Sequence, residues 1–152
     1  MSIQYVSGDP FLTRMQTLAF GYNVQARSEN DPLGMQLQQK YPAALATFRK
    51  QAQAGRIKSG DIWLWRETAP RIALFVVRDS AVGATRPRYV DRVALQLVRD
   101  YQLMGVQSLA IAPLGRTGET HSIKEAMELV LSRCPFPLIV YEKYSPGMDA
   151  EG

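Results

Sequence analysis

The pattern of apolar and polar residues predicts strands at the beginning and in the middle of the chain. Residues 3–6 alternate between apolar and polar and end at a turn-like Ser-Gly-Asp-Pro, and residues 17–22 form an apolar run rich in strand-forming residues. Residues 61–66 and 71–77 are two more such runs, separated by a segment typical of a turn. This spacing predicts that the two runs pair as antiparallel strands.

Apolar residues recur at helical spacing in the segments between and after these strands. Asp31 and Pro32 are typical of a helix start, and Pro42 is expected to kink that helix or to split it in two. A second apolar stripe at residues 90–101 predicts a helix that ends at Gly105.

The last third of the chain alternates strand and helix patterns. Residues 108–112 and 137–141 predict strands, and residues 122–125 have the spacing of a capping box that opens the helix between them. With the earlier elements, this order predicts an α/β fold with a mixed six-stranded sheet and helices on both faces. The 152 residues fit one domain, expected at residues 1–144, followed by a flexible tail at residues 145–152.

The composition limits the class of protein. Hydrophobic residues make up 46% and charged residues 21%, which is typical of globular proteins. One cysteine, Cys134, and one histidine, His121, exclude an intramolecular disulfide and a Cys/His zinc cluster, so no metal or cofactor is expected. Cys134 is expected to be a small buried residue at a helix end.

No signal-peptide pattern and no apolar run near the ~18 residues of a membrane helix are found, so we expect a cytoplasmic protein without membrane contact.

The net charge of +4 comes mainly from arginines in the middle and later parts of the chain. Such an excess indicates an anionic ligand. No run of five lysines or arginines is present, so the charge pattern does not favour a strong polyanion-binding protein. A solvated basic face without a ligand is the alternative interpretation.

In a sheet of the predicted kind, ligands bind at the carboxyl ends of the strands. Three loops follow strand ends there, at residues 8–11, 23–31 and 115–120. Asp9, in the first loop, has a carboxylate that suits an adenine amino group, with Phe11 adding apolar contact. It also suits the cap of a short helix that begins at Pro10. Both roles can hold at once.

The loop at residues 115–120 contains two glycines and precedes a predicted helix. Gly115 and Gly118 let the backbone approach a ligand closely, the N–H groups at the helix start form an anion site, and Arg116 adds positive charge. An ordinary strand-to-helix turn is the alternative, because no complete dinucleotide-binding or Walker motif is present.

The order of several short motifs resembles that of macro domains. The motifs are IxYVxGD at residues 3–9, LQQKYP at 37–42, GxIKSGDIWLW at 55–65 and SLAIAPLG at 108–115. The nearest branch contains the DNA ADP-ribosyl glycohydrolase antitoxins and the terminal ADP-ribose glycohydrolases. The resemblance implies a macro-like three-layer sandwich that binds ADP-ribose or an ADP-ribosylated macromolecule.

The resemblance also implies roles for individual residues. Asp9 would bind the adenine amino group, Asn23 would lie near the distal ribose, and the loop up to Glu119 would wrap the diphosphate. Tyr141 or Tyr144 would flank the adenine. The ligand-binding residues expected on this basis are Asp9, Pro10, Phe11, Asn23, Gly115, Arg116, Thr117, Gly118, Tyr141 and Tyr144.

Three departures from the family pattern bear on catalysis. Residues 29–34 contain Pro32 where the family has a glycine-rich segment, and proline has no N–H to donate. The lysine nucleophile of the related hydrolases has no equivalent, because the corresponding strand end carries Arg78, which stays protonated. Glu119, where some relatives place a catalytic aspartate, is then the candidate catalytic residue, and we expect any hydrolase activity to be weak.

Two other functions remain open from the sequence. One is a phosphatase that acts on a phosphorylated ADP-ribose metabolite, with Arg78 or Arg116 clamping the extra phosphate. The other is a basic nucleic-acid-binding domain, although no RNA-binding signature with paired aromatic residues is present. Under the leading hypothesis, nucleic acid would be a partner only as an ADP-ribosylated substrate.

Overall fold

The computed structural model describes residues 3–28, 31–114 and 119–152 of the chain. The strands are β1 (Gln4–Gly8), β2 (Thr17–Asn23), β3 (Ile62–Trp65), β4 (Arg71–Arg78), β5 (Leu109–Ile111) and β6 (Leu138–Tyr144). The α-helices are α1 (Pro32–Lys40), α2 (Pro42–Gln53), α3 (Pro87–Met104) and α4 (Thr120–Leu131), and a short 3-10 helix spans Pro10–Leu12.

Across the described residues, the strands form one six-stranded sheet in the order β1-β6-β5-β2-β4-β3. Neighbouring strands run parallel, except that β3 pairs antiparallel with β4, with Trp63 opposite Leu74. The predicted mixed sheet and the predicted antiparallel pair are therefore confirmed.

The side chains of the central strands point alternately to two apolar layers. Leu18, Phe20 and Tyr22 of β2 pack with buried residues of α1 and α2, while Ala19 packs with buried residues of α3 and α4. All of β2 is buried, as is typical of a parallel strand that has helices on both faces. The structure is thus the expected three-layer sandwich.

Pro42 splits a helical region and Gly105 ends a helix, as predicted, but the last helix begins earlier than expected. Pro42 splits the first helical region into α1 and α2, and Gly105 follows α3 in the left-handed conformation, with φ of 73°. The prediction that residues 122–125 open α4 is wrong, because α4 begins at Thr120 with Glu119 at the N-cap. The Glu119 carboxylate accepts the Thr85 N–H at 2.9 Å, a tertiary contact outside any local capping pattern.

The C-terminal segment follows β6 back over the end of β1. Ser145 donates its N–H to the Gly8 carbonyl at 2.9 Å, and Asp9 donates its N–H to the Met148 carbonyl at 2.7 Å. These contacts show where residues 145–152 lie, while their predicted flexibility stays a prediction. Of the helices formed by the described residues, none has the length and apolar character that crossing a bilayer requires.

Candidate functional site

The parallel strands end at one edge of the sheet, and polar side chains form two groups there. We call the first the Asp9 cluster, made of Asp9, Phe11 and Tyr144 near the ends of β1 and β6. We call the second the Arg78 cluster, made of Arg78 at the end of β4, its contacts Gly21, Thr85 and Leu114, and Glu119, which Thr85 contacts.

Asp9 is a buried carboxylate, with 8% of the residue exposed. It caps the 3-10 helix, because one carboxylate oxygen, Oδ1, accepts the Phe11 N–H at 3.0 Å. The other oxygen, Oδ2, accepts the Gly147 N–H at 2.8 Å. The predicted helix cap is confirmed, and the carboxylate is held in place by two backbone donors.

Two aromatic rings lie next to this carboxylate. The Phe11 ring centroid is 6.4 Å from that of Tyr144, with the rings at 72°, and 5.2 Å from that of Phe20. Burial and the nearby Asp9 charge raise the pKa of Tyr144 above its usual value. The structure therefore brings together three of the residues singled out in the sequence, an acid and two half-buried rings.

Tyr141 lies differently from Tyr144. It is only 1% exposed and packs in the core layer beneath α1 and α2. Its hydroxyl donates to the Glu151 carboxylate, and burial and this contact raise its pKa. Of the two candidate tyrosines, Tyr144 is the one that touches the Asp9 cluster with its ring partly open to solvent.

Arg78 is a buried cation, 4% exposed, that joins several chain segments. Its Nη1 donates to the Leu114 carbonyl at 2.8 Å and to the Thr85 hydroxyl at 3.1 Å, and its Nη2 donates to the Gly21 carbonyl at 3.0 Å. Asp31 lies 3.7 Å from Nη2 as the counter-charge. A buried guanidinium needs such partners to offset its desolvation, and here they join three strand ends to the start of α1.

Thr85 contacts Leu114 and Glu119, the residues on either side of positions 115–118. Its hydroxyl donates to the Leu114 carbonyl at 3.4 Å, and its N–H donates to Glu119 Oε2 at 2.9 Å. Gly21 allows Leu114 to approach, because a Cβ at position 21 would lie 3.0 Å from the Leu114 carbonyl oxygen. The predicted ligand residues Gly115, Arg116, Thr117 and Gly118 lie outside the described residues.

The contributions of Thr85 and Gly21 could not be predicted from the sequence. Neither residue belongs to a recognisable motif, and their partners are far away in the sequence. Contact between the Arg78 guanidinium and the Gly21 carbonyl, for example, spans 57 positions. Only the sheet order, which places β2 beside both β4 and β5, brings these groups together.

Asn23 is buried, with 2% exposed, and its side chain closes a turn. Its amide donates to the Arg27 carbonyl at 2.7 Å and accepts the Arg27 N–H at 3.2 Å. Within this turn Ala26 has a positive φ of 58°. The contact predicted between Asn23 and a distal ribose stays a prediction, as does the ligand contact of Pro10, which is buried at the start of the 3-10 helix.

Cys134 is buried, as predicted, and burial raises its pKa to about 11, so its thiol stays protonated at neutral pH. The described residues contain no group of three or more His, Cys, Asp or Glu side chains able to hold a metal ion. The chemistry of the described edge is therefore that of one buried carboxylate, one buried guanidinium, Glu119 and aromatic rings.

Comparison with solved structures identifies the fold. The macrodomain of Thermus aquaticus DarG is 20% identical with a TM-score of 0.81, over 95% of this chain and 98% of that one. Mycobacterium tuberculosis DarG macrodomain is 19% identical with a TM-score of 0.79, over 95% and 98%. Thermosipho africanus DarTG in complex with ADP-ribose is 18% identical with a TM-score of 0.84, over 98% of this chain and 43% of that one.

No protein-family model and no curated protein sequence matches the chain. The likeness to solved structures nevertheless covers almost the whole chain and agrees with the strand order, the two helical layers and the three-layer arrangement described above. The chain has the macrodomain fold.

Proposed function

We propose that the chain binds ADP-ribose, or an ADP-ribosyl group on a macromolecule, along the carboxyl edge of its sheet. The observation that carries this proposal is the Asp9 cluster, in which a buried carboxylate lies beside two aromatic rings. The DarTG protein of the same fold, solved in complex with ADP-ribose, supports the choice of ligand.

In this proposal the adenine binds at the Asp9 cluster. Both carboxylate oxygens of Asp9 accept a backbone N–H, and the amino N–H of adenine is a donor of the same kind. Such a charge-assisted hydrogen bond is shorter and stronger than a neutral one. Tyr144 then flanks the base in preference to Tyr141, because the Tyr141 ring is fully packed in the core.

The diphosphate is proposed to bind at residues 115–118. The flanking residues Leu114 and Glu119 both contact Thr85. These positions lead directly into the N-terminus of α4, where backbone N–H groups and the helix dipole favour an anion. Gly115 and Gly118 give the close approach and Arg116 adds a positive charge.

Calorimetric titration tests the proposal. We expect ADP-ribose to bind more tightly than ADP, and ADP more tightly than AMP, because each successive group adds contacts along the edge. Ribose 5-phosphate, which lacks both the base and the diphosphate, serves as the control and should bind far more weakly. A chain that binds none of the adenine compounds would overturn the proposal.

We also propose that turnover of ADP-ribosyl conjugates is slow or absent. Arg78 stands where the resemblance implies a lysine nucleophile, it stays protonated, and its guanidinium is held by protein oxygens. Glu119 is left as the candidate general base, and its Oε2 already accepts the Thr85 N–H. Loss of positioning alone lowers rates by about a hundredfold.

Release of ADP-ribose from modified DNA or protein, compared between the parent and Glu119→Gln, tests this second proposal. The variant keeps the shape of the side chain and removes the base, so the slow release by the parent should fall further. Brisk release by the parent would contradict slow turnover. Release that persists in Glu119→Gln would remove the role assigned to Glu119.

The phosphatase alternative gains no support from Arg78, because its three hydrogen bonds to protein oxygens engage it as part of the fold. Nucleic acid enters the proposal only as an ADP-ribosylated substrate. We also propose a reducing, cytoplasmic setting, in keeping with a single cysteine that is buried and unpaired with any other.

A further inference from the structure

The C-terminal segment, residues 145–152, lies against the Asp9 cluster through several contacts. Backbone hydrogen bonds join Ser145 to Gly8, Met148 to Asp9, and Gly147 to the Asp9 carboxylate. The Ala150 side chain packs against the apolar layer beneath α1 and α2. The segment is thus attached along most of its length to the end of β1.

Two acidic residues hold the far end of this segment. Asp149 pairs with Arg14 at 2.8 Å, and Glu151 accepts both the Arg14 N–H at 3.0 Å and the Tyr141 hydroxyl. Arg14 is largely exposed, so its ion pair with Asp149 is weak and can be broken at small cost. This ion pair is therefore one contact of the segment that solvent can replace.

The backbone of β1 is shaped for this close contact. A Cβ at Gly8 would lie 2.6 Å from the Ala150 Cβ and 2.8 Å from the Met148 carbonyl oxygen. Any side chain at position 8 would therefore force the segment away from the strand end. A substitution at Gly8 is therefore a way to displace the segment without substituting Asp9.

The contact between Gly147 and Asp9 is of the same chemical kind as the contact proposed for adenine. In both, an N–H group donates to the Asp9 carboxylate, and Gly147 does so from 2.8 Å at Oδ2. The Met148 carbonyl at the same time accepts the backbone N–H of Asp9 at 2.7 Å. The segment thus engages the Asp9 N–H and one oxygen of its carboxylate.

We propose that residues 145–152 are an intramolecular cover of the adenine subsite, which an adenine-bearing ligand must displace in order to bind. This inference rests on the proposed function, because it assigns regulation to the same site. The apparent Kd then equals the intrinsic Kd divided by the uncovered fraction, so a site covered about nine-tenths of the time binds about tenfold more weakly. Anything that holds the segment elsewhere strengthens binding.

The first experiment compares affinities for ADP-ribose and AMP by calorimetry. A chain that ends at Ser145 and the Gly8→Ala variant should both bind about tenfold more tightly than the parent. Arg14→Gln, which breaks the pair with Asp149, should bind two- to threefold more tightly, at about the strength of one exposed ion pair. Arg99→Gln breaks an equally short exposed pair on α3, at 2.8 Å from Asp100, and should leave the affinity unchanged.

The second experiment follows amide hydrogen exchange of Gly147 in the full chain by NMR. AMP should speed this exchange by displacing the segment, whereas ribose 5-phosphate, which has no base, should not change it. Slower exchange with AMP, or weaker binding by the shortened chain and Gly8→Ala, would show that the segment is a wall of the site and would overturn the cover. Equal binding by all variants would overturn the cover but not the proposed function. Absence of binding by every form would overturn the proposed function and the cover together.

Discussion

The Arg78 cluster and the Asp9 cluster are built at opposite ends of the same sheet edge and are held in different ways. Arg78 is a buried cation whose partners are carbonyls and side chains of four other segments of the fold. Asp9 is a buried anion whose partners are backbone N–H groups of its own loop and of a surface segment. One cluster joins core segments, and the other lies against the C-terminal segment.

This difference separates structural from exchangeable contacts. If Arg78 is removed, buried carbonyls lose their donors and no water takes their place without cost. If the Gly147 N–H leaves Asp9, the carboxylate can accept another donor from a ligand or from water. We infer that the Arg78 end fixes the geometry of the edge, while the Asp9 end exchanges partners when a ligand binds.

The largest effect should come from Arg78→Met, which keeps much of the side-chain volume and removes the charge and its donors. Loss of a buried, paired cation costs about 3–5 kcal/mol in the free energy of unfolding, because Asp31 and the buried carbonyls lose their partner. Urea unfolding measures this. Arg99→Met removes an exposed pair and should change the same free energy by no more than about 0.5 kcal/mol.

A loss of less than about 1 kcal/mol in Arg78→Met would contradict the comparison, because it would place the Arg78 cluster among weak surface contacts. In that case the fixed end of the edge would have to lie elsewhere.

The next effect concerns binding at the Asp9 end. Asp9→Ala should weaken ADP-ribose binding about tenfold to a hundredfold, through loss of a charge-assisted hydrogen bond of roughly 1.5–3 kcal/mol. It should also lower the free energy of unfolding by about 1 kcal/mol, because the same carboxylate caps the 3-10 helix. Calorimetry and urea unfolding measure the two effects separately.

Asp9→Asn sharpens this test because its one oxygen can still accept the Phe11 N–H, while the charge and the acceptor for the Gly147 N–H are lost. The helix cap is retained, so stability should fall less than in Asp9→Ala while the affinity falls. If Asp9→Asn and Asp9→Ala both bind ADP-ribose as well as the parent, the adenine does not bind at the Asp9 cluster.

The two clusters also differ in how far the sequence predicts them. The cap at Asp9 is local, since its acceptor and donor lie two positions apart, and a strand pattern followed by Asp-Pro is enough to indicate it. The order of strands and helices likewise follows from hydrophobic periodicity. The split at Pro42 follows from the missing N–H of proline.

The rest depends on contacts between distant segments. Arg78 meets Leu114 across 36 positions, and Gly147 meets Asp9 across 138. The sequence of residues 145–152 has no regular pattern, so only the path of β6 beside β1 reveals that the segment lies against Asp9. The early start of α4 has the same origin, because Glu119 is held by Thr85, 34 positions away.

A smaller effect is expected at Thr85, which contacts Leu114 and Glu119 on either side of positions 115–118. Thr85→Val keeps the shape and the N–H but removes the hydroxyl, so Arg78 and Leu114 each lose one contact. The cost should be about 1–1.5 kcal/mol in stability, near that of one buried hydrogen bond. ADP-ribose binding should weaken several-fold, whereas AMP, which lacks the diphosphate, should bind almost as before.

Thr85→Ser restores the hydroxyl and should restore ADP-ribose binding, which a general loss of packing would not allow. Equal weakening of ADP-ribose and AMP binding in Thr85→Val would mean that Thr85 stabilises the whole edge rather than the loop.

The smallest effect is expected from the pH dependence of Asp79, an exposed carboxylate next to Arg78. Hydrogen bonds from the Ser59 hydroxyl, at 2.7 Å, and the Tyr89 hydroxyl, at 2.9 Å, lower the pKa of Asp79 below its usual value, and Arg86 and Arg88 add to this. A group with a lowered folded pKa contributes stability above its unfolded pKa of about 3.9, and this stability is lost as the pH falls through the folded pKa. Because Asp79 is half exposed, solvent screening limits the contribution to about a few tenths of a kcal/mol.

Urea unfolding at pH 6 and near pH 3 measures this contribution. The loss of unfolding free energy on acidification should be slightly smaller in Asp79→Asn than in the parent. Asp91→Asn, at an exposed carboxylate on α3, serves as the matched control. An identical acid-induced loss in Asp79→Asn and the parent would mean that the hydroxyl contacts of Asp79 do not persist in solution, and that the fixed part of the edge ends at Arg78.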